Sequence, residues 1–470
     1  MIDKYDVIII GAGISGLICG TMLAKNGKRV LIMERNDKAG GCVTSRRKRG
    51  FNFDYGAHLI GSCNDRGIFG YYLRSLGIKN VKVARLDPTD RFVFPDMEVE
   101  VPQGLDEYRD LLQSLFPDEA AGLRLFFKEV ERIARRHSSA AALKAYDGVT
   151  YEDILRRFFK SERIMSVLSA QVRYVGRGPR YVAATAMCLM IISYIRDGTY
   201  YPIGGTQYFI DTVADAFRSY GGELLLRTEA VKIETHGGRA DTVHSRGGER
   251  FRSDNVVIAC DMTKVNASSA KDDAAYWDWS RRIGYLRAGG SCVMVYLGVG
   301  GDLDVRGRAG WYHSSYKLNS GPKESWYMFV PTLIDPSLAP EGKHVIELAM
   351  PFPYEVGAIT NWSRCKAELR DELVARADSV IPGLRNAIEY EESATPKTIE
   401  RFTNNKNGSM YGWEMSADQV VGGRPGSRTP IDGLYCAGHW TNPGCGVVSA
   451  ATSGWITGLN ILNVKATANV

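Results

Sequence analysis

Short apolar runs punctuated by glycine turns occupy both ends of the chain, and helical periodicity fills its middle. Near the start, the apolar run Tyr5–Ile10 stops at Gly11-Ala-Gly13-Ile-Ser-Gly16, and a second run, Arg29–Met33, stops at Glu34. Short apolar runs bounded by turn residues read as buried strands, and the segment between them, about Ile14 to Asn26, reads as a helix. From Leu105 the texture changes. Leu105, Tyr108, Leu112 and Leu115 recur at steps of three and four, which gives a helix one apolar face. Pro117 ends that helix, Asp118 and Glu119 acidify the next first turn, and Leu123, Phe126, Phe127, Val130 and Ile133 repeat the spacing. Further helices are predicted over Tyr151–Lys160, Ile164–Val172 and Tyr181–Ile195, so most of residues 90–200 is expected to be helical.

At Tyr201-Pro-Ile-Gly-Gly205 the mixed texture returns. A helix from about Thr206 to Tyr220 is followed by strands at Glu223–Leu226 and Val231–Glu234, with hairpin signals at Gly237-Gly238 and Gly247-Gly248. Asn255-Val-Val-Ile-Ala259 is the kind of strand that lies inside a parallel sheet. Strands are predicted again at Ser291–Leu297, Trp326–Val330 and Val345–Met350, with a helix at Lys366–Val380. A strand from Gly433 then ends in the turn Gly438 to Gly446, a last helix follows over Val447–Leu462, and Ala466–Val470 are expected to fray. This alternation predicts an α/β chain (α+β overall). Residues 1–88, 202–265 and 425–465 form a nucleotide-binding domain in three pieces; residues 89–201 and 266–424 supply the helical part and the sheet part of a second domain woven through it.

Each glycine of the first turn has a separate task. Gly11 makes the tight turn, Gly13 lets the backbone approach a pyrophosphate, and Gly16 lets helix and strand pack closely. Glu34, eighteen residues beyond Gly16, stands where a ribose-binding acid is needed. The phosphate then sits at a helix N-terminus, where unpaired N–H groups favour anions. Taken alone, this motif serves NAD and FAD equally. A second glycine-dense stretch runs from Gly40-Gly41-Cys42 through Ser45 and Arg46–Arg49 to Asp54-Tyr-Gly56-Ala57-His58, and such density suggests backbone passing close to a ligand.

Composition narrows the class further. A chain of 470 residues is too long for one core, and 44% hydrophobic with 24% charged residues describes an ordinary globular protein. The net charge of +6 suits an anionic cofactor or membrane surface and is too small to argue for nucleic acid. Nine cysteines, with no CxxC pair and no Cys/His cluster, argue against a metal site and for reduced thiols in a cytoplasmic setting. The N-terminus leaves no room for a targeting segment, because the first strand begins by about Tyr5. The most apolar stretch, Tyr181–Ile195, is fifteen residues long against the roughly 20 that span a bilayer. It reads as a buried or tunnel-lining helix, or as one dipping into a membrane surface.

Four blocks resemble one family: Val7–Glu34, Gly40-Gly41 through Gly56, Tyr201–Gly205 and Leu434–Gly446. Phe116-Pro-Asp-Glu119 with Phe126-Phe127, then Tyr174-Val-Gly176 and Pro179, extend the likeness through the helical segment. The chain resembles the flavin-dependent phytoene desaturase, carotenoid isomerase and retinol saturase group of the amine-oxidase-like superfamily. That resemblance implies a Rossmann-like FAD-binding domain of discontinuous segments with an interwoven substrate domain of helices and a mixed β-sheet. It implies FAD held by Gly11, Gly13, Ile14, Ser15, Gly16, Glu34 and Arg35 at the nucleotide end, with Val231 meeting the adenine through its backbone. Gly41, Cys42, Ser45, Gly56 and Ala57 would follow the phosphates and the flavin, and Gly438, His439, Gly446, Val447 and Val448 would meet the ribityl chain and the pyrimidine edge. His439 departs from the acid or small residue usual there; a neutral imidazole can still accept a ribityl hydroxyl.

The implied activity is desaturation, saturation or isomerisation of carbon–carbon bonds in a polyene or other long apolar substrate. His58 is the candidate acid–base residue, with a purely structural role as its alternative. Arg46 and Arg47 are candidates for the pyrophosphate, while His137, His236 and His244 read as surface residues. Tyr174, Tyr194, Tyr200, Tyr201, Trp311, Trp326, Tyr327, Phe329, Phe352 and Tyr354 divide between an elongated pocket and plain core. Basic Arg177, Arg180 and Arg196 beside the apolar stretch suggest a membrane-facing entrance, a peripheral contact at the inner face of the membrane. Competing readings are an amine oxidase-like flavoprotein, a natural-product tailoring oxidase and a non-catalytic prenyl-binding chaperone on the same fold.

Overall fold

In the structure, a computed structural model, β1 (Lys4–Ile10), α1 (Ile14–Lys25) and β2 (Val30–Met33) form the strand–helix–strand unit that the apolar pattern predicts. The structure describes residues 4–136, 143–267, 274–305, 310–319, 324–352, 359, 361–420 and 422–464. His137, Tyr354 and the terminal 466–470 lie outside them. β1 and β2 pair in parallel with Val7 opposite Val30, and on its other edge β1 pairs in parallel with Arg250–Ile258. Val7, Ile8 and Ile9 are fully buried, as a strand covered on both faces demands.

Arg250–Ile258 serves two partners on its far edge. Its first residues run antiparallel to Arg239–Ser245, and its last three run parallel to Leu434–Cys436. Among the described residues the sheet has eight strands, ordered Glu223–Leu225, β2, β1, Arg250–Ile258, Arg239–Ser245, Ala230–His236 and Asn266–Ala267, with Leu434–Cys436 attached to Arg250–Ile258. Its parallel core brings the ends of β1, β2 and Leu434–Cys436 to one edge, where such sheets hold ligands. The turns that follow these strands begin at Gly11, Glu34 and Gly438.

α1 is buried from Ile14 to Ala24, because the sheet covers one side and the last helix, Val447–Ile461, covers another. Small residues make that approach possible. A Cβ on Gly454 would overlap the Ser15 carbonyl oxygen, and one on Gly16 would overlap the carbonyl oxygen of Gly11.

Among the described residues a second sheet orders seven strands as Ile388–Ala394, Ser291–Val299, His344–Phe352, Trp326–Phe329, Gly310–His313, Asp90–Phe94 and Met97–Val101. The last two are a hairpin in the stretch just ahead of the helices, added in parallel to Gly310–His313. β3 (Val43–Lys48) and β4 (Phe51–Gly56) form a hairpin of their own, with Phe51 and Phe53 packed on Met294, Tyr296 and Val345 of the second sheet.

The helices follow their periodicity with two corrections. Leu105–Leu115 buries Leu105, Tyr108 and Leu112, but Leu115 is exposed because the helix stops there ahead of Pro117. The stretch Tyr181–Ile195 contains a helix over Ala184–Ile191 that continues as a wider π turn over Ile192–Arg196. All of Ala184–Ile191 except Leu189 is buried, so this helix belongs to the core and not to a membrane surface. Among the described residues no helix is long and apolar enough to cross a membrane.

Candidate functional site

The two sheets and the helical segment enclose a cleft of about 990 Å³. Of the residues expected to bind a cofactor, Gly11, Gly13, Ile14, Ser15, Glu34, Arg35, Gly41, Cys42, Gly56, Ala57, Gly438, His439, Gly446 and Val447 line it, as does His58. Gly16, Ser45, Val231 and Val448 stand outside its wall. Gly16 is packed under Gly11, and the buried Ser45 hydroxyl accepts from the Gln207 N–H at 3.0 Å. Next to Val231, Thr228, Glu229 and Ala230 supply the wall in its place.

The glycine turn has the backbone geometry that its spacing predicts. Gly11 takes φ +109, and a Cβ there would come 2.9 Å from the Ala259 carbonyl oxygen. Gly13 faces open space, and it caps α1 with no side-chain hydrogen bond, so the first N–H groups of that helix point uncapped toward the cleft. Gly446 repeats the arrangement at the last helix: φ +91, nothing within 4 Å of a Cβ, and no side-chain cap. Two bare helix N-termini therefore open on one cleft, each a ready site for negative charge. Glu34 stays buried because its Oε2 accepts from Ala12 N–H and its Oε1 from Asn36 N–H, both at 2.9 Å. Gly40 donates to the Ala12 carbonyl at 2.9 Å, which folds the Gly40-Gly41 turn over Gly13.

His58 lies in the wall with its ring against Phe329 and Tyr327, at centroid distances of 5.1 and 6.0 Å. Its Nε2 is 2.7 Å from Oε2 of Glu347, a fully buried side chain. Glu347 Oε1 accepts from Asp54 N–H at 2.7 Å, and Asp54 in turn accepts from Tyr201 Oη at 2.7 Å and from Thr206 N–H and Oγ1 at 2.8 Å. Burial pushes both carboxyls above the usual carboxylate range, against the pull of His58 and these hydrogen bonds. The acid in the glycine-dense stretch thus turns away from the cleft to anchor its wall. Glu347 went unread in the sequence because nothing near it in the chain marks its task.

Arg46 and Arg47 are also turned away: Arg46 pairs with Asp37 at 2.7 Å, and Arg47 donates to the Gly50 and Ser337 carbonyls. His236 is exposed beside Asp241, whereas His244 is half-buried and pairs with Glu234 at 3.1 Å. His439 is held neutral, its pKa pushed down to about 4 by burial and by the Arg424 charge. At the far end of the cleft Tyr174 stacks on Tyr194 at 4.8 Å, and Tyr312, Tyr327, Leu318 and Phe352 continue the wall; Tyr200, Tyr201, Trp311, Trp326 and Phe329 are core. The rim carries exposed Tyr181, with the Arg177 guanidinium 4.1 Å from its ring centroid.

Residues 14–458 match the flavin containing amine oxidoreductase family, and the chain belongs to it. Its cofactor is FAD, and it is an enzyme of the oxidoreductase class. The chain is 28% identical to prolycopene isomerase 2 of an Oncidium hybrid cultivar, over 96% of this chain and 83% of that one. It is 26% identical to a 4,4'-diapophytoene desaturase (4,4'-diaponeurosporene-forming) of Staphylococcus aureus, over 96% and 97%. Among solved structures, an oxidoreductase from Methanosarcina mazei shares the fold with a TM-score of 0.72 at 18% identity, over 97% of this chain and 99% of that one.

Proposed function

We propose that this FAD-dependent oxidoreductase desaturates, saturates or isomerises carbon–carbon bonds of a polyene or another long apolar substrate. The observation that carries the reading is the continuity of the cleft, from two glycine-headed helix N-termini past His58 into an end lined by stacked tyrosines. In this reading Glu34 holds the ribose hydroxyls, Gly11, Gly13 and the start of α1 hold the pyrophosphate, and Gly438 to Val447 embrace the flavin. The bound flavin supplies hydride acceptance and donation. The residues of the chain do the rest: the aromatic end orients an apolar chain and excludes water, and His58, steadied by Glu347, holds or moves a proton beside the reacting carbons. Relatives named as an isomerase and a desaturase of polyenes support this substrate class.

An ammonium substrate is disfavoured by the wall itself. At the tyrosine-lined end the carboxylate is Glu414, and it is already paired with Arg177 and with Arg287, the latter at 2.8 Å. The test is chromatography of products after incubating the flavin-loaded protein, oxidised or pre-reduced, with acyclic polyenes of differing saturation and cis geometry. A changed polyene supports the proposal. Conversion of amines with every polyene returned intact would refute it.

A further inference from the structure

Arg424 is a buried cation with most of its hydrogen-bonding capacity idle. It is 4% exposed, and its Nη2 donates to the carbonyls of Trp413 at 2.5 Å and Glu414 at 2.7 Å. Nε and Nη1 reach no acceptor among the described residues. The charge of Glu414 favours the guanidinium, but Arg177 and Arg287 already engage both of its oxygens, so Arg424 has no counter-charge of its own. A buried guanidinium that only shares a counter-charge is unfavourable, so a fold that keeps one has an anion to meet or a field to supply.

Its position says where that field acts. Nη1 presses on Gly444, where a Cβ would overlap it. Gly444 lies two residues before Gly446, the uncapped N-terminus of the last helix, and His439 and Trp440 on the same loop line the cleft. The Arg424 charge reaches that wall, for it helps to hold His439 neutral and opposes the burial that raises the Cys445 thiol. Two bonds to carbonyls would be met equally well by a neutral amide. The charge is the part that structure alone does not require.

We propose that Arg424 is a positioning residue for flavin reduction: one layer behind the 441–446 loop, its fixed charge favours the reduced cofactor over the oxidised one. This rests on the placement of the flavin in the cleft. When a substrate C–H bond breaks as hydride, two electrons and one proton reach the flavin, which gains one net negative charge. A preorganised cation and a helix N-terminus on one side of that charge stabilise it without moving.

The experiment measures the midpoint potential of the bound flavin in the wild type, Arg424→Lys, Arg424→Gln and Arg424→Met. The neutral variants should lose at least about tenfold in preference for the reduced flavin, a potential lower by about 30 mV for a two-electron couple. Arg424→Lys should stay within about twofold. Neutral variants that load with flavin at an unchanged potential overturn the proposal, as does an equal shift in all three. Should the neutral variants fail to fold, the wild type decides through the absorbance of its reduced flavin. An anion persisting at and below neutral pH is expected, and a flavin protonated at N1 at neutrality overturns the role. A wild type that binds no flavin instead overturns the placement on which the proposal rests.

Discussion

Asp54 and Glu347 stand 293 positions apart, yet one hydrogen bond joins them behind His58. The pairing fixes the imidazole in the cleft wall, where the proposed function needs a proton donor or acceptor, and it sets the residue-scale prediction. His58→Asn should retain flavin and lower turnover by about 10²–10⁴-fold, the usual weight of a general acid–base group. E347Q keeps the bond to Asp54 N–H but removes the ionisable carboxyl facing Nε2. Burial lifts that carboxyl above the usual carboxylate range, so its ionisation sets an acid limb of the pH–rate profile at higher pH than a free carboxylate would, and E347Q loses that limb. Unchanged profiles in E347Q would assign the pair a purely structural role. His58 was legible because glycines bracket it. Glu347 and Arg424 were not, since single charged residues on a strand or loop have no local spacing, and only the fold shows that one faces an imidazole and that the other leaves Nε and Nη1 without an acceptor among the described residues.

At the scale of elements, the contact between α1 and the last helix decides whether both N-termini reach the cleft. Helix propensity favours alanine over glycine by about 1 kcal/mol, so a Gly→Ala change is harmful only where the methyl has no room. At Gly454 it meets backbone, the Ser15 carbonyl oxygen, while at Gly458 it comes 2.6 Å from Met22 Sδ, the far end of a flexible side chain. Urea unfolding should therefore show Gly454→Ala destabilised by about 1–3 kcal/mol, with weakened flavin retention, and Gly458→Ala close to wild type. Equal stabilities would mean that the helices are not pressed together as described. Both helices and the strands leading into them could be read from the sequence, because apolar runs, glycine turns and three-to-four spacing are local signals. The Asp90–Phe94 and Met97–Val101 hairpin could not. Its residues alternate over only a few positions, and its place is set by pairing with Gly310–His313, more than two hundred positions away. Likewise the apolar Ala184–Ile191 helix gave the same pattern whether core or membrane would cover it; burial by its neighbours decided for core.

For the whole molecule, three stretches far apart in the chain converge on the edge of one sheet, while a second sheet and the helices close the opposite wall. The half of this arrangement built on glycine turns was legible because close approach of backbone demands glycine, and glycines record that demand in the sequence. The substrate half was less so, because apolar walls are built from the same residues as apolar cores; of the aromatics singled out there, Tyr174, Tyr194, Tyr327 and Phe352 reached the cleft and others filled the interior. The central claim is that this cleft sets an apolar chain against a bound flavin. Its most direct test is the flavin absorbance of the purified protein mixed anaerobically with long-chain hydrocarbons of low unsaturation, or pre-reduced and mixed with conjugated polyenes. The account predicts bleaching in the first case or recovery of the oxidised spectrum in the second, with amines inert; bleaching by amines alone, with neither response to a hydrocarbon, would contradict it.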